Sequence, residues 1–236
     1  MNGLTPLTSE LFEDLSRLSC IRDYCMIGGT ALALQLNHRL SEDLDFCRWK
    51  TYEKERISVN WSGIENELSR LGSVTRNLLE HNQCDFIVKG VKLSFYGNNL
   101  SKAPKGLIRK NFLNNVWLAD ISSIGAMKIE VMLRRFSFRD YYDIYAILKD
   151  GVPLKDLIKS AGDYSRHRLK TRDMLAMLSK GENFTVDQHF ATLNPKYKVN
   201  SYDIEHFLVD EIRKMNDMTA DSRLRGNDLS VSCRFR

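Results

Sequence analysis

Two carboxylates one residue apart, Asp43 and Asp45, follow closely on a glycine pair, Gly28-Gly29. Apolar and acidic residues alternate over Asp43-Leu44-Asp45-Phe46. That period of two predicts a strand with Asp43 and Asp45 on one face and Leu44 and Phe46 turned to a core. Adjacent carboxylates repel, and a divalent cation relieves the repulsion. Mg²⁺ prefers oxygen ligands, often one or two carboxylates plus substrate phosphates. Gly28-Gly29-Thr30 precedes Ala31–Leu36, a run of good helix formers. Bare backbone N–H groups at a helix N-terminus make a ready phosphate cradle. The alternative for the glycines is a tight turn chosen for backbone freedom, and for Thr30 a plain helix cap. Together these residues point to a metal–nucleotide site with Asp43 and Asp45 as metal ligands. Arg39 and Ser41 lie between the two halves. They are candidates for nucleotide contact, or for neutralising the acids (Arg39) and capping a turn (Ser41).

Several elements must position these groups. The apolar run Tyr24–Ile27 predicts a strand leading into the glycine turn. Before it, Leu11, Leu15 and Leu18 recur at helical spacing, predicting a helix over Ser9–Ser19 capped by Thr8 or Ser9. Cys47–Ser58 is charged and reads as a loop. Ile64–Leu71 predicts a helix stopped at Gly72. Val74–Leu79, Asp85–Lys89 and Val91–Tyr96 predict strands, with a hairpin turn at Lys89-Gly90. Asn98–Lys110 reads as a polar connection, and Val116–Ala119 as a short strand.

Asp120 is placed to cap a helix reaching Arg135. Ile121, Ile124, Lys128, Val131 and Arg135 share one face of it, so Lys128 interrupts an apolar stripe. Such a lysine either snorkels to the surface or meets an anion, and a nucleotide phosphate would suit. A second helix opens at Arg139-Asp140-Tyr141-Tyr142-Asp143 and runs to Leu148. Asp143 is a candidate acid in the site, or a partner of Arg134, Arg135 or Arg139 in a helix seam. Asp140 reads as a cap or an arginine partner, and the tyrosines as packing. Leu154–Ala161, Arg166–Ser179 and Tyr202–Met215 predict a helical subdomain. The basic cluster Arg166, Arg168, Lys170 and Arg172 falls on two sides of its helix. The pattern fades after Asn216, and residues 216–236 read as a disordered tail.

A strand, Gly-Gly-Thr, a helix and then Asp-x-Asp on the next strand resemble the DNA polymerase β-like nucleotidyltransferases. The fuller Gly28-Gly29-Thr30…Arg39-Leu40-Ser41-Glu42-Asp43-Leu44-Asp45-Phe46, with Lys128…Arg139-Asp140-Tyr141-Tyr142-Asp143, resembles the AbiEii/AbiGii toxin branch over about residues 20–150. The resemblance implies an α/β fold: a nucleotidyltransferase core over residues 1–119 with a small mixed sheet and flanking helices. A helical part over 120–215 would carry the second motif. It implies Lys128 on nucleotide phosphates and Asp143 in the active site. It implies an NTP substrate, Mg²⁺ or Mn²⁺, and transfer of a nucleoside monophosphate to an RNA, with the tRNA 3′ end as leading acceptor. It further implies a bacterial type IV AbiE-like toxin–antitoxin and phage abortive-infection system. The antitoxin, from the adjacent gene, would act mainly as a repressor without a stable complex. The wider superfamily carries a third carboxylate on a later strand, where Ser94 stands here. Asp85 is the other candidate. That departure leaves open a nucleotide-binding module without catalysis. Transfer to a protein or small molecule is the other alternative.

The chain has 236 residues and a net charge of +5. Residues 1–104 hold 12 Lys/Arg against 13 Asp/Glu, and residues 105–236 hold 23 against 17. The basic half is compatible with nucleic acid, or with ordinary solvated lysine and arginine. The five cysteines are odd in number and lack CxxC spacing, which predicts a reducing cytoplasm. No apolar run is long enough for a bilayer, and no signal-peptide core opens the chain, so no membrane partner is expected.

Overall fold

The computed structural model describes residues 1–99, 102–165, 168–184 and 188–231, with side chains described as far as residue 217. Its strands are β1 (Cys25–Ile27), β2 (Leu44–Trp49), β3 (Val74–Leu79), β4 (Gln83–Val88), β5 (Val91–Asn98), β6 (Arg109–Leu113) and β7 (Val116–Ala119). They form one mixed sheet in the order β3-β4-β5-β2-β1-β7-β6. β2 pairs parallel with β5, and β1 parallel with β7; the other neighbours are antiparallel.

The alternation along β2 sets the two faces of the sheet. Leu44 and Phe46 are buried, and Phe46 stacks on Phe95 of β5 with ring centroids 5.2 Å apart. Leu93 and Phe95 are likewise buried, while Lys92, Ser94 and Tyr96 share the opposite face with Asp45. The Lys89-Gly90 turn has φ of 48° and 78°, the left-handed pair that a tight hairpin requires.

The helices are α1 (Pro6–Ser16), α2 (Gly28–Leu36), α3 (Trp61–Leu68), α4 (Ile121–Met132), α5 (Phe138–Lys149), α6 (Leu154–Tyr164), α7 (Thr171–Leu178) and α8 (Ser201–Val231). Asp120 caps α4 as expected, accepting from Ser123 N at 3.0 Å and from Ser123 Oγ at 2.7 Å. One buried hydrophobic cluster runs from Leu4 to Leu208, so sheet and helices share a core. Tyr141 and Tyr142 are fully enclosed in it.

Several boundaries differ from those the sequence predicts. α1 starts at Pro6, not Ser9, because proline fits a first helical position where its missing N–H costs nothing. Thr8 is then inside the helix, and its hydroxyl donates to the Glu42 carbonyl at 2.8 Å. Cys47–Trp49 continue β2 rather than looping out, since they pair with Tyr96–Asn98. β6 forms partly within the expected polar connection. α3 ends at Leu68, short of Gly72. α7 starts at Thr171, so Arg168 and Lys170 precede it, and the basic cluster is not a helical one; Arg166 lies outside the described residues. The backbone of α8 continues past Met215 to Val231, where the sequence pattern had ended; residues 232–236 lie outside the described residues.

Candidate active site

A cleft of about 780 Å³ opens over the Asp45 face of the sheet, between β2, β4, β5, the start of α2, and α4. Gly28, Gly29, Thr30, Arg39, Ser41, Asp43, Asp45 and Lys128 all line it. The two sequence motifs are therefore brought to one place. Asp143 is not in the lining: it is fully buried behind the wall.

The glycines are required by what crowds them. Gly28 has φ +72° at the start of α2, and a Cβ there would meet Asp45 Oδ2 at 2.7 Å. A Cβ on Gly29 would meet Arg39 Nη2 at 2.4 Å. Ile27 in the N-cap position supplies no side-chain cap. The first-turn amides of α2 thus sit at the cleft without a capping side chain, as an anion site needs. Thr30 is buried, and its Oγ1 bonds Ser41 Oγ at 2.8 Å and the Asp43 carbonyl oxygen. It clamps the helix start to the segment carrying the acids.

Asp43 and Asp45 stand together with incomplete compensation. Burial and the charge of Asp43 push Asp45 up to about 6. Asp43 is raised too, first by burial and then, against the pull of Lys92, by Glu42. A divalent cation would reverse both effects. Among the described residues no three His, Cys, Asp or Glu side chains converge to hold an ion unaided. Two carboxylates that need neutralising, beside an open phosphate cradle, fit Mg²⁺, which takes its remaining ligands from water and substrate phosphates.

The register places Asp45 of β2 opposite Ser94 of β5, and Ser94 opposite Asp85 of β4. Asp85 therefore belongs to the same rank and face, two strands away from Asp45. It pairs with Lys92 at 3.2 Å. Lys92 is a site residue that the motifs did not single out, although its place two residues before Ser94 on an alternating strand is a usable signal.

Behind the cleft wall lies a group of the opposite character. Asp143 accepts from Arg39 Nε at 2.7 Å and Arg39 Nη2 at 2.8 Å, and contacts His38 Nε2 at 2.7 Å and Lys128 Nζ at 2.7 Å. Burial opposes its ionisation, but Arg39, Lys128 and His38 outweigh burial and hold its carboxyl well below the usual range. An acid so enclosed, with its oxygens committed to Arg39, Lys128 and His38, is placed to hold those side chains rather than to face the cleft. Its partners are also not Arg134, Arg135 or Arg139. Arg39 answers Asp143, not the strand acids.

Lys128 bridges to Asp140 at 2.8 Å, and Asp140 accepts from Arg135 at 3.0 Å. Burial works against a charge on Lys128, yet Asp140 and Asp143 more than offset it, and its pKa is raised. An ammonium has three N–H groups. Two are committed to carboxylates, and one remains for a ligand in the cleft. Arg134, Arg135 and Arg139 add positive charge along the rim. Arg139 and His189 both contact Glu42, at 3.5 and 2.8 Å, tying the acidic segment to the helical part.

The family model for the nucleotidyl transferase AbiEii toxin of type IV toxin–antitoxin systems matches residues 11–220. The chain belongs to the AbiEii family. It is also 28% identical over 162 residues to "Uncharacterized protein aq_aa25" of Aquifex aeolicus (strain VF5), covering 67% of this chain and 74% of that protein. A crystal structure of a proposed nucleotidyltransferase from H. pylori superposes with a TM-score of 0.54 at 14% identity, covering 91% of this chain and 99% of that one. At that identity the likeness concerns the fold, which is of the nucleotidyltransferase type. This AbiEii chain is thus a nucleotidyltransferase toxin, with an NTP as substrate and an antitoxin as its counterpart. Among its described residues, no helix is long and apolar enough to cross a membrane.

Proposed function

We propose that this toxin transfers a nucleoside monophosphate from an NTP to the 3′ hydroxyl of an RNA, with tRNA as the leading acceptor, and releases pyrophosphate. The bonds broken are the α–β phosphoanhydride and the acceptor O–H, whose proton passes to solvent; the bond formed joins the α-phosphate to the acceptor oxygen. Asp43 and Asp45 would hold Mg²⁺ or Mn²⁺, which would supply charge neutralisation at the reacting phosphate. The observation that carries the reading is the cleft itself. Two undercompensated acids face an uncapped helix N-terminus and a buried lysine held protonated.

The residues divide the work. First-turn amides at Gly28 and Gly29 would hold phosphate oxygens, with Lys128 supplying its remaining N–H. Asp143 positions Arg39 and Lys128 rather than touching substrate. Thr30 and Ser41 fix the spacing between the cradle and Asp43. Most of the rate in such transfers comes from positioning and charge stabilisation, which suits a site without a nucleophilic side chain. The arginines of the rim favour a polyanionic acceptor over a cationic small molecule. A cytoplasmic setting and a role in phage defence belong to the same reading.

The test is incubation of the protein with Mg²⁺, each α-³²P-labelled NTP in turn, and total bacterial RNA. Label is expected on a tRNA-sized band, reduced roughly 100-fold or more in Asp43→Ala and Lys128→Ala. Label on protein, or on no acceptor, would overturn the RNA assignment.

A further inference from the structure

The two ends of the cleft differ in chemistry. Every cationic lining residue comes from the acid end or from the rim formed by α4 and its continuation: Arg39, Lys92, Lys128, Arg134, Arg135 and Arg139. Further along β5 the lining carries no charged side chain. Tyr96 stands opposite Cys47 of β2 and Gln83 of β4, and Asn98 stands opposite Trp49. Tyr96 is two residues beyond Ser94 on the same face, about 7 Å along the strand from the rank of Asp45. Tyr164, at the end of α6, closes this end, accepting from Asn98 Nδ2 at 3.1 Å.

We infer that Tyr96 and Gln83 form a nucleobase subsite, closed at its far end by the Asn98–Tyr164 pair; the inference rests on the nucleotidyl-transfer reading above. An anionic triphosphate belongs at the cationic end and an uncharged base at the neutral end. One strand step of two residues leaves room for the ribose between them. Half-buried Tyr96 offers a ring for stacking, a contact every base can make. Gln83 gives one Nε2 N–H to Asp85 at 3.2 Å, which leaves its carbonyl oxygen and second N–H to a base edge. Asn99 lines the same end but takes no part, because its side chain is committed to the Ile57 backbone through two bonds of 2.7 Å. Stacking and amide bonding of this kind can read a base of the donor NTP or of the acceptor's last nucleotide.

The experiment separates those two sources and the underlying reading. Wild type, Tyr96→Ala, Tyr96→Phe and Gln83→Ala are compared by calorimetric titration with each NTP without acceptor, and by KM for RNA in the transfer assay. Circular dichroism and thermal melting check the fold. If the subsite holds the donor base, Tyr96→Ala weakens NTP binding about tenfold, Tyr96→Phe restores it, and Gln83→Ala narrows the differences among the four NTPs. If it holds the acceptor base, NTP binding stays within twofold and KM for RNA rises about tenfold in Tyr96→Ala. Folded Tyr96→Ala and Gln83→Ala proteins with wild-type NTP preference, affinity and KM for RNA would overturn the subsite while leaving nucleotidyl transfer intact. A wild type that transfers nothing from any NTP would instead remove the reading on which the subsite rests.

Discussion

The molecule treats its two groups of acids in opposite ways. Asp43, just before β2, and Asp45, within it, face the cleft and are pushed toward protonation, both by burial, Asp45 also by Asp43 and Asp43 by Glu42. On α5, Asp140 and Asp143 are more deeply buried, yet Asp143 is held ionised by Arg39, Lys128 and His38. Burial alone therefore does not decide which acid is reactive; the supply of counterions does. The helix acids are satisfied and act as structure. The strand acids are left short of positive charge, and a metal bound with substrate would complete them. A polar group kept unsatisfied in this way is a cost to stability that function explains.

Removing the satisfied acid breaks the contrast most severely. Asp143→Ala leaves Arg39 and Lys128 buried without their main counterion. It is expected to cost about 3–5 kcal/mol in urea unfolding. Because the folded-state pKa of Asp143 lies below its unfolded value, its contribution is full above about pH 4 and fades as the protein is acidified. The gap between wild type and Asp143→Ala should therefore shrink in acid. A loss below about 1 kcal/mol at pH 7 would mean that the cations find other partners.

Neutralising the unsatisfied acid should do the reverse. Asp45→Asn is expected to abolish transfer yet stabilise the metal-free protein at pH 8, by up to about 3 kcal/mol. The sign follows from a folded pKa of about 6, above the unfolded value. Wild type loses stability as pH rises from about 4 through 6, and the variant does not. Thermal melts from pH 4 to 8 without divalent ions, then with Mg²⁺ and NTP, read both effects. Equal melting of the two proteins at pH 8 would contradict the assignment of Asp45 as undercompensated.

The smallest effect tests the spacing between cradle and acid. Gly28→Ala adds a methyl 2.7 Å from Asp45 Oδ2 at a residue with φ +72°. A stability loss of about 1–2 kcal/mol should accompany a larger fall in kcat. A normal kcat with lowered stability would assign the glycine to backbone geometry alone.

What was legible in the sequence was what has a local period or cap. The alternation in Leu44–Phe46 and Val91–Tyr96, the Lys89-Gly90 turn and the Asp120 cap each state their structure within a few residues, although β2 starts one residue after Asp43. β6 did not, because Arg109-Lys110-Asn111 on an exposed edge has no buried face to impose alternation. The gathering of the site residues was readable through the motif resemblance. The roles within it were less so. Arg39 meets Asp143 across 104 residues of sequence, and no spacing rule foretells that. The extent of the polar wall at Gln83, Tyr96 and Asn98 likewise emerges only from the register of three strands.

That long pairing also orders events during synthesis. β1 finds its parallel neighbour only when Leu118 has been made, and Arg39 finds its counterion only at Asp143. Asp43 and Asp45 emerge from the ribosome early, but Lys128 and its carboxylate partners Asp140 and Asp143 follow only in the second half of the chain. Closing such distant contacts is slow. A chain stopped before α5 carries Asp43 and Asp45 without Lys128 locked in place. Such a chain lacks the counterion that fixes Arg39 and Lys128 at the cleft wall.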